Sequence, residues 1–338
     1  MPENSPSSPP QDTGFMDEVS LFLKWCRQNP PSALLLAAIV ATLVLFIGWL
    51  HLFSNGAESL AVWAWRAWNP EMNQEHSKIV PLISLGLVWY HRNEIRKAVK
   101  QPSNTGLIFI GIGVFLYVLA VRCLQPRMGL AAIPFLLCGS VYYLWGKQVA
   151  RIVLFPCAFL IFTIPMGAVE QATNNLQFII TGVVGFLSNI VGINIQAVGT
   201  TLTAGDGTFN FEIAEGCSGI RSLTAMAMLT AVYVHLTQDR LWKKIVVFGF
   251  SAVFAVIGNI GRIFTVILVA RFYNSDFAGG IYHDYSGFVF FPFALLAMLG
   301  MGKLVNIDFK KFTAPEQPTG SDGRISGEKG GGGTTYDY

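Results

Sequence analysis

Eight apolar stretches, each close to the length of a bilayer crossing, occupy most of residues 33–305. A transmembrane helix needs about 20 mainly apolar residues, and in hydrocarbon each main-chain polar group must be satisfied internally. The stretches run approximately over 33–52, 77–91, 104–122, 128–145, 149–166, 218–236, 244–272 and 287–305. The second is short. The seventh is long, and Gly258-Asn259 is expected to interrupt it near its outer end. Only 13% of the residues are charged, against about 25% in soluble domains. The reading is an all-α polytopic membrane protein with about eight transmembrane helices.

The loops orient this array. Lys24 and Arg27, Arg92 to Lys100, Lys147 and Arg151, Arg240 to Lys244, and the basic residues from Lys303 onward fall on alternate loops. The opposite loops hold only Arg66, Arg122, Arg127 and Arg271, with Lys78 at an edge, and residues 167–216 contain no Lys or Arg. Basic loops stay cytoplasmic, so both termini are expected inside. Residues 176–192 are also apolar and fit either an interfacial or re-entrant helix or a further crossing. A ninth crossing would turn the downstream basic loops outward, so the interfacial or re-entrant form is expected.

Three parts follow: a cytoplasmic N-terminal segment (1–32), a membrane domain (33–305) and a cytoplasmic tail (306–338). Pro/Ser-rich residues 1–15 and the Gly-rich polar tail are expected to be disordered. Residues 17–27 suit an amphipathic juxtamembrane helix. The N-terminus lacks the basic n-region of a cleavable signal peptide. Within the outer segment 167–216, residues 196–204 and 208–213 read as two strands of a small hairpin, turning at Ala204-Gly-Asp-Gly207. The hairpin precedes the sixth crossing and leads to Cys217.

Cysteines stand at 26, 123, 138, 157 and 217, with no CxxC and no metal-ligand spacing. Cys138 and Cys157 lie in apolar runs and read as small buried hydrophobes. Cys217 differs, because it sits in Glu215-Gly-Cys-Ser-Gly-Ile-Arg221 at the start of an apolar helix. The free N–H groups and positive dipole end there lower a thiol pKa. Arg221 follows one turn later on the same face. Arg262, in Gly258-Asn-Ile-Gly-Arg262, is an ionisable residue inside a crossing, where such residues are rare and usually functional. A guanidinium suits oxyanion stabilisation, and Asn259 is placed to orient it or His283. His283, followed by Asp284, lies just outside the eighth crossing and is the candidate general base. Asp284 either contacts His283 or caps the helix expected to begin near Ser286. The topology brings a thiol, a guanidinium and an imidazole to one level at one membrane face. Glu212 and Glu215 are further candidates for substrate contact or pKa tuning. No cofactor, metal or nucleic-acid partner is expected.

Cys217-Ser-Gly-Ile-Arg-Ser222, Asn259-Ile-Gly-Arg262 and His283-Asp-Tyr-Ser-Gly287, in this order on these segments, resemble the exosortase/archaeosortase family of membrane cysteine transpeptidase-like enzymes. The resemblance covers roughly residues 33–305. It implies that Cys217 is the nucleophile, His283 the acid/base and Arg262 the oxyanion stabiliser. It also implies exported protein substrates carrying a C-terminal sorting signal: a Pro-Glu-Pro type motif, a transmembrane helix and a basic tail. Such systems belong to exopolysaccharide-producing bacteria, and membrane lipid and an acceptor of unknown identity, water or an amine, complete the expected partners.

Two other classes compete. Gly216-Cys-Ser-Gly219 fits the GxSG of a rhomboid-like serine protease, with Ser218 as nucleophile. Span count and the intervening hairpin argue against it. Intramembrane arginine and broken helices also mark transporters, but the polar residues here gather at one face rather than the midplane. An inactive scaffold is a third reading, because geometry decides whether the three groups meet.

Overall fold

The computed structural model describes residues 14–69, 74–165, 167–212 and 220–307. Helix α1 (Phe15–Gln28) is amphipathic, as its sequence predicts, and buries none of its residues. Asn29-Pro30 breaks the chain into α2 (Pro30–Leu43), which runs on as a π-helical turn to Trp49. Then come α3 (Leu60–Ala67), α4 (Val80–Tyr90), α5 (Arg92–Lys97), α6 (Gly106–Arg122), α7 (Pro126–Trp145), α8 (Lys147–Phe159) and α9 (Gly167–Ile190). Three short strands, β1 (Ile195–Val198), β2 (Thr201–Ala204) and β3 (Asn210–Glu212), precede α10 (Ile220–Thr237) and α11 (Leu241–Phe272). A three-residue turn of helix, α12 (Ser275–Phe277), leads through a π-helical segment to α13 (His283–Leu304).

A helix covers each of the eight apolar segments. Four stretches are both long and apolar enough to cross a bilayer: Pro30–Trp49, Pro126–Trp145, Leu241–Phe272 and Ser275–Leu304. Val80–Tyr90, Gly106–Arg122 and Asn175–Ile190 are shorter apolar helices. The chain is therefore an all-α membrane protein with several apolar helices and one small sheet. The apolar Leu, Phe and Trp side chains left exposed along these helices, such as Trp49, Phe115 and Phe288, are what a lipid-facing surface requires.

Four expectations are corrected. Gly258-Asn259 does not interrupt α11, which is continuous over 32 residues. The glycines serve close packing instead: a Cβ at Gly258 would lie 3.3 Å from Ala294 Cβ, and one at Gly261 would lie 3.1 Å from the Phe290 ring. Small residues let membrane helices approach in this way. The hairpin is a three-stranded antiparallel meander. Residues 196–204 do not form one strand, because Gly199 at φ +65° makes a turn with Thr200 between Val198 and Thr201. The eighth helix begins at His283 rather than near Ser286, and the expected disorder up to residue 15 stops short of Phe15, which opens α1. Residues 1–13 and 308–338, which include the rest of the expected disordered ends, lie outside the described residues. Cys138 and Cys157 are buried together in one apolar cluster, as their runs predict.

The meander packs on α9 and the C-terminal half of α11. Leu202, Ala204 and Phe209 join Ile180 and Val184 of α9 and Ile263 and Ile267 of α11 in one buried cluster. Asp206 in the turn pairs with Arg271 near the end of α11 at 2.9 Å. Its carboxyl is held below the usual carboxylate range, chiefly by hydrogen bonds from Thr208, with Arg271 adding to the effect.

Candidate active site

Arg262 is residue 22 of the 32 in α11, ten before Phe272, or about 15 Å of helix rise from that end. It does not project into lipid. Its Nε donates to Ser286 Oγ at 3.0 Å and its Nη2 to the main-chain carbonyl of His283 at 2.9 Å. Ser286 Oγ in turn donates to the same His283 carbonyl at 2.8 Å. The first turn of α13 thus holds the guanidinium through a hydroxyl and a carbonyl. Arginine carries five N–H donors in a planar fork, so two bonds fix its plane and leave donors for a bound oxyanion. Gly287 lies beside it, and even a Cβ there would be at ordinary contact distance, 3.8 Å from the Arg262 Cζ.

His283 opens α13, and its side chain is mostly buried. Asp284 does not cap a later helix. It sits in the first turn of α13 and brings Oδ1 to 3.2 Å from His283 Nδ1. With the proton on Nδ1, this contact leaves Nε2 as the basic nitrogen.

Arg262, His283, Asp284 and Arg221 line one cleft of about 710 Å³, within the size range of ligand sites. Arg221 is the second residue of α10 and exposed. Ser222 beside it also borders the narrow gap between α10, α11 and α13 where buried Asn259 lies behind Arg262. Cys217 and Glu215 lie outside the described residues, as does Ser218. Glu212 is the last residue of β3, opposite Thr201; its side chain is outside the described ones.

Three residues of the site carried no expected role. Ser286 is buried and holds Arg262; its motif was visible in sequence, but nothing in a lone serine signals a partner 24 positions away. Glu75 lines the cleft from the other half of the chain, and His76 follows it. Their placement rests on Ser77, which is fully buried and donates to the Phe162 carbonyl at 2.9 Å. Trp68 Nε1 adds a bond to the Thr163 carbonyl at 2.8 Å. Burial pushes the His76 imidazole below its ordinary value; Glu75 opposes this and Arg221 adds to it. The charge of Arg221 is thus felt on the segment that carries Glu75.

The cleft lies at one end of the bundle. From Glu75, α4 runs to His91; from Arg221, α10 runs to His235; those two imidazoles meet with Nε2 atoms 3.2 Å apart. Lys243 at the start of α11 reaches Asn306 just beyond α13 at 2.7 Å. This opposite end carries Arg92, Arg96, Lys97, Lys147 and Lys303.

Neither the curated proteins nor the solved structures compared with this chain include a match. The family model described as transmembrane exosortase (Exosortase_EpsH) matches residues 65–300, from the end of α3 to the last turns of α13. That span includes every residue lining the cleft, and the chain belongs to the transmembrane exosortase family.

Proposed function

We propose that this chain is a membrane cysteine peptidase or transpeptidase that removes the C-terminal sorting signal of exported proteins at the outer face of the bacterial inner membrane. The observation that carries the reading is the convergence of Arg262, His283 and Arg221 on one cleft. Arg221 follows Cys217 by four positions, so at most about 14 Å of extended chain separates the proposed nucleophile from a residue lining the cleft. The basic residues gathered at the far end support a cytoplasmic assignment for that end and an outward-facing cleft. The full topology proposed is eight crossings with both termini inside, the shorter helices crossing with help from their non-helical flanks, and α9 with the sheet lying outside.

The chemistry runs as follows. His283 Nε2 takes the proton of the Cys217 thiol, with Asp284 holding the imidazole through Nδ1–H. The thiolate attacks the carbonyl carbon of the scissile peptide. Arg262 donates hydrogen bonds to the oxyanion that forms, from a position already fixed by Ser286 and the His283 carbonyl, so no reorganisation is needed as charge develops. The intermediate collapses, His283 returns the proton to the leaving amine, and the C-terminal segment departs. Water or an amine then resolves the thioester. Arg221 and Glu75 supply opposite charges at the rim where a peptide chain enters.

The test is co-expression with a reporter carrying a Pro-Glu-Pro motif, a transmembrane helix and a basic tail. The wild type is expected to shorten the reporter; Cys217→Ala, still inserted, is expected to leave it full length. Equal shortening by both would remove the nucleophile assignment and point to Ser218 or a host protease.

A further inference from the structure

The end of the bundle opposite the cleft holds a cavity of about 550 Å³ that the proposed chemistry does not use. Trp25 of α1, Val88 of α4, Ile95 of α5, and Trp145 and Val149 on either side of the α7–α8 junction supply apolar lining. The rings of Trp25 and Trp145 pack 5.8 Å apart, and paired tryptophans at a helix end mark a membrane–water interface. The rim is basic. Its charged lining residues are Arg96 and Lys100, against the single carboxylate of Glu18. Glu18 is taken up by Arg96 at 2.5 Å and approached by Arg92 at 3.8 Å. Two cations against one carboxylate leave a positive rim, with Lys100 exposed beside the opening. Helix α1, which forms one wall, buries none of its residues and leaves Phe15, Leu21, Phe22 and Leu23 exposed.

We infer that this cavity is a binding site for one anionic phospholipid, an acyl chain lying between α1, α4 and α7 and the phosphate meeting Lys100 at the rim. Apolar walls suit an acyl chain and a basic rim suits a phosphodiester, and basic pockets between helices at a bilayer surface take anionic headgroups. A basic peptide fits less well, since the one carboxylate lining the cavity, Glu18, is already paired with Arg96. The bound lipid joins α1 to the bundle, covering apolar surface that the protein itself does not bury.

The test uses the full chain in detergent, equilibrated with equal amounts of phosphatidylglycerol and phosphatidylcholine, with retained lipid identified by native mass spectrometry. The expected result is one phosphatidylglycerol retained in preference to phosphatidylcholine. Lys100→Gln, at an exposed position, is expected to lower that preference about fivefold, the equivalent of roughly 1 kcal/mol for a cation near an anionic surface. Val149→Trp, which fills the cavity without changing charge, is expected to abolish retention of the single lipid. Equal retention of the two lipids by the wild type, or a preference unchanged in Lys100→Gln, would overturn the assignment. Neither result depends on peptidase activity.

Discussion

Arg262 Nη2 donates to the main-chain carbonyl of His283 at 2.9 Å, so the guanidinium of α11 is held by the backbone of the residue whose imidazole faces the same cleft. A lysine cannot reproduce this, because a single ammonium does not reach Ser286 Oγ and the His283 carbonyl in the fixed plane of a guanidinium. Arg262→Lys is expected to insert normally and to process the reporter about 10²- to 10³-fold more slowly, the usual loss for one oxyanion donor. Quantitative cleavage of the reporter in membranes checks this; a rate near wild type would remove Arg262 from that role.

Ser286 acts through Arg262 and is a positioning residue. Ser286→Ala removes the acceptor of Arg262 Nε. It is expected to lower thermal stability by about 1 kcal/mol, in line with polar contacts between membrane helices. It is also expected to lower kcat by about 10- to 100-fold through misplacement of the guanidinium, with little change in KM. Ser286→Thr, which keeps the hydroxyl, is expected to recover most of the rate. A matched loss in both variants would show that bulk at the site, not the hydrogen bond, matters.

Gly261 sets the distance between α11 and α13. A Cβ there would lie 3.1 Å from the Phe290 ring, and the two further methyl groups of valine press on it harder. Gly261→Val is expected to cost about 1–3 kcal/mol, as overpacking does, and to lose reporter processing even where folded protein remains. Gly249, on the same helix, has open space at its Cβ position, so Gly249→Ala serves as the control and is expected to behave as wild type. Thermal melting in detergent, with reporter cleavage alongside, separates the two.

His76 gives stability a pH dependence of known sign. Its imidazole titrates below the ordinary 6.5 in the folded chain, first because it is buried. Below 6.5 the unfolded chain therefore binds a proton that the folded chain refuses, and stability falls on acidification. The contribution is flat above that value and lost progressively beneath it. Melting temperatures measured between neutral pH and pH 5 are expected to decline less in His76→Gln than in the wild type. An unchanged decline would show that other groups carry it.

Much of this molecule is legible in its sequence. Length and apolarity marked Pro30–Trp49 and Leu241–Phe272, and the bare fact that α11 ends and α13 begins at one side put Arg262 near His283. What sequence did not disclose depends on distant contacts or single dihedrals. The seam with Ala294 and Phe290 explains why Gly258-Asn259 leaves α11 unbroken, and local propensity contains none of that. One positive φ at Gly199 turns an apparent strand into two. Glu75 reaches the cleft because Ser77 is tied to Phe162, 85 positions away; a short polar stretch before an apolar helix gives no sign of it.

The two anchors of Arg262 both belong to the first turn of α13. The guanidinium and the imidazole are consequently mounted on one two-helix block, locked to each other whatever α10 does. The facing wall belongs to a separate helix, α10, whose Arg221 and Ser222 line the cleft. A shift of α10 would therefore change the width of the cleft between Arg221 and His283 while leaving Arg262 aligned on the His283 carbonyl.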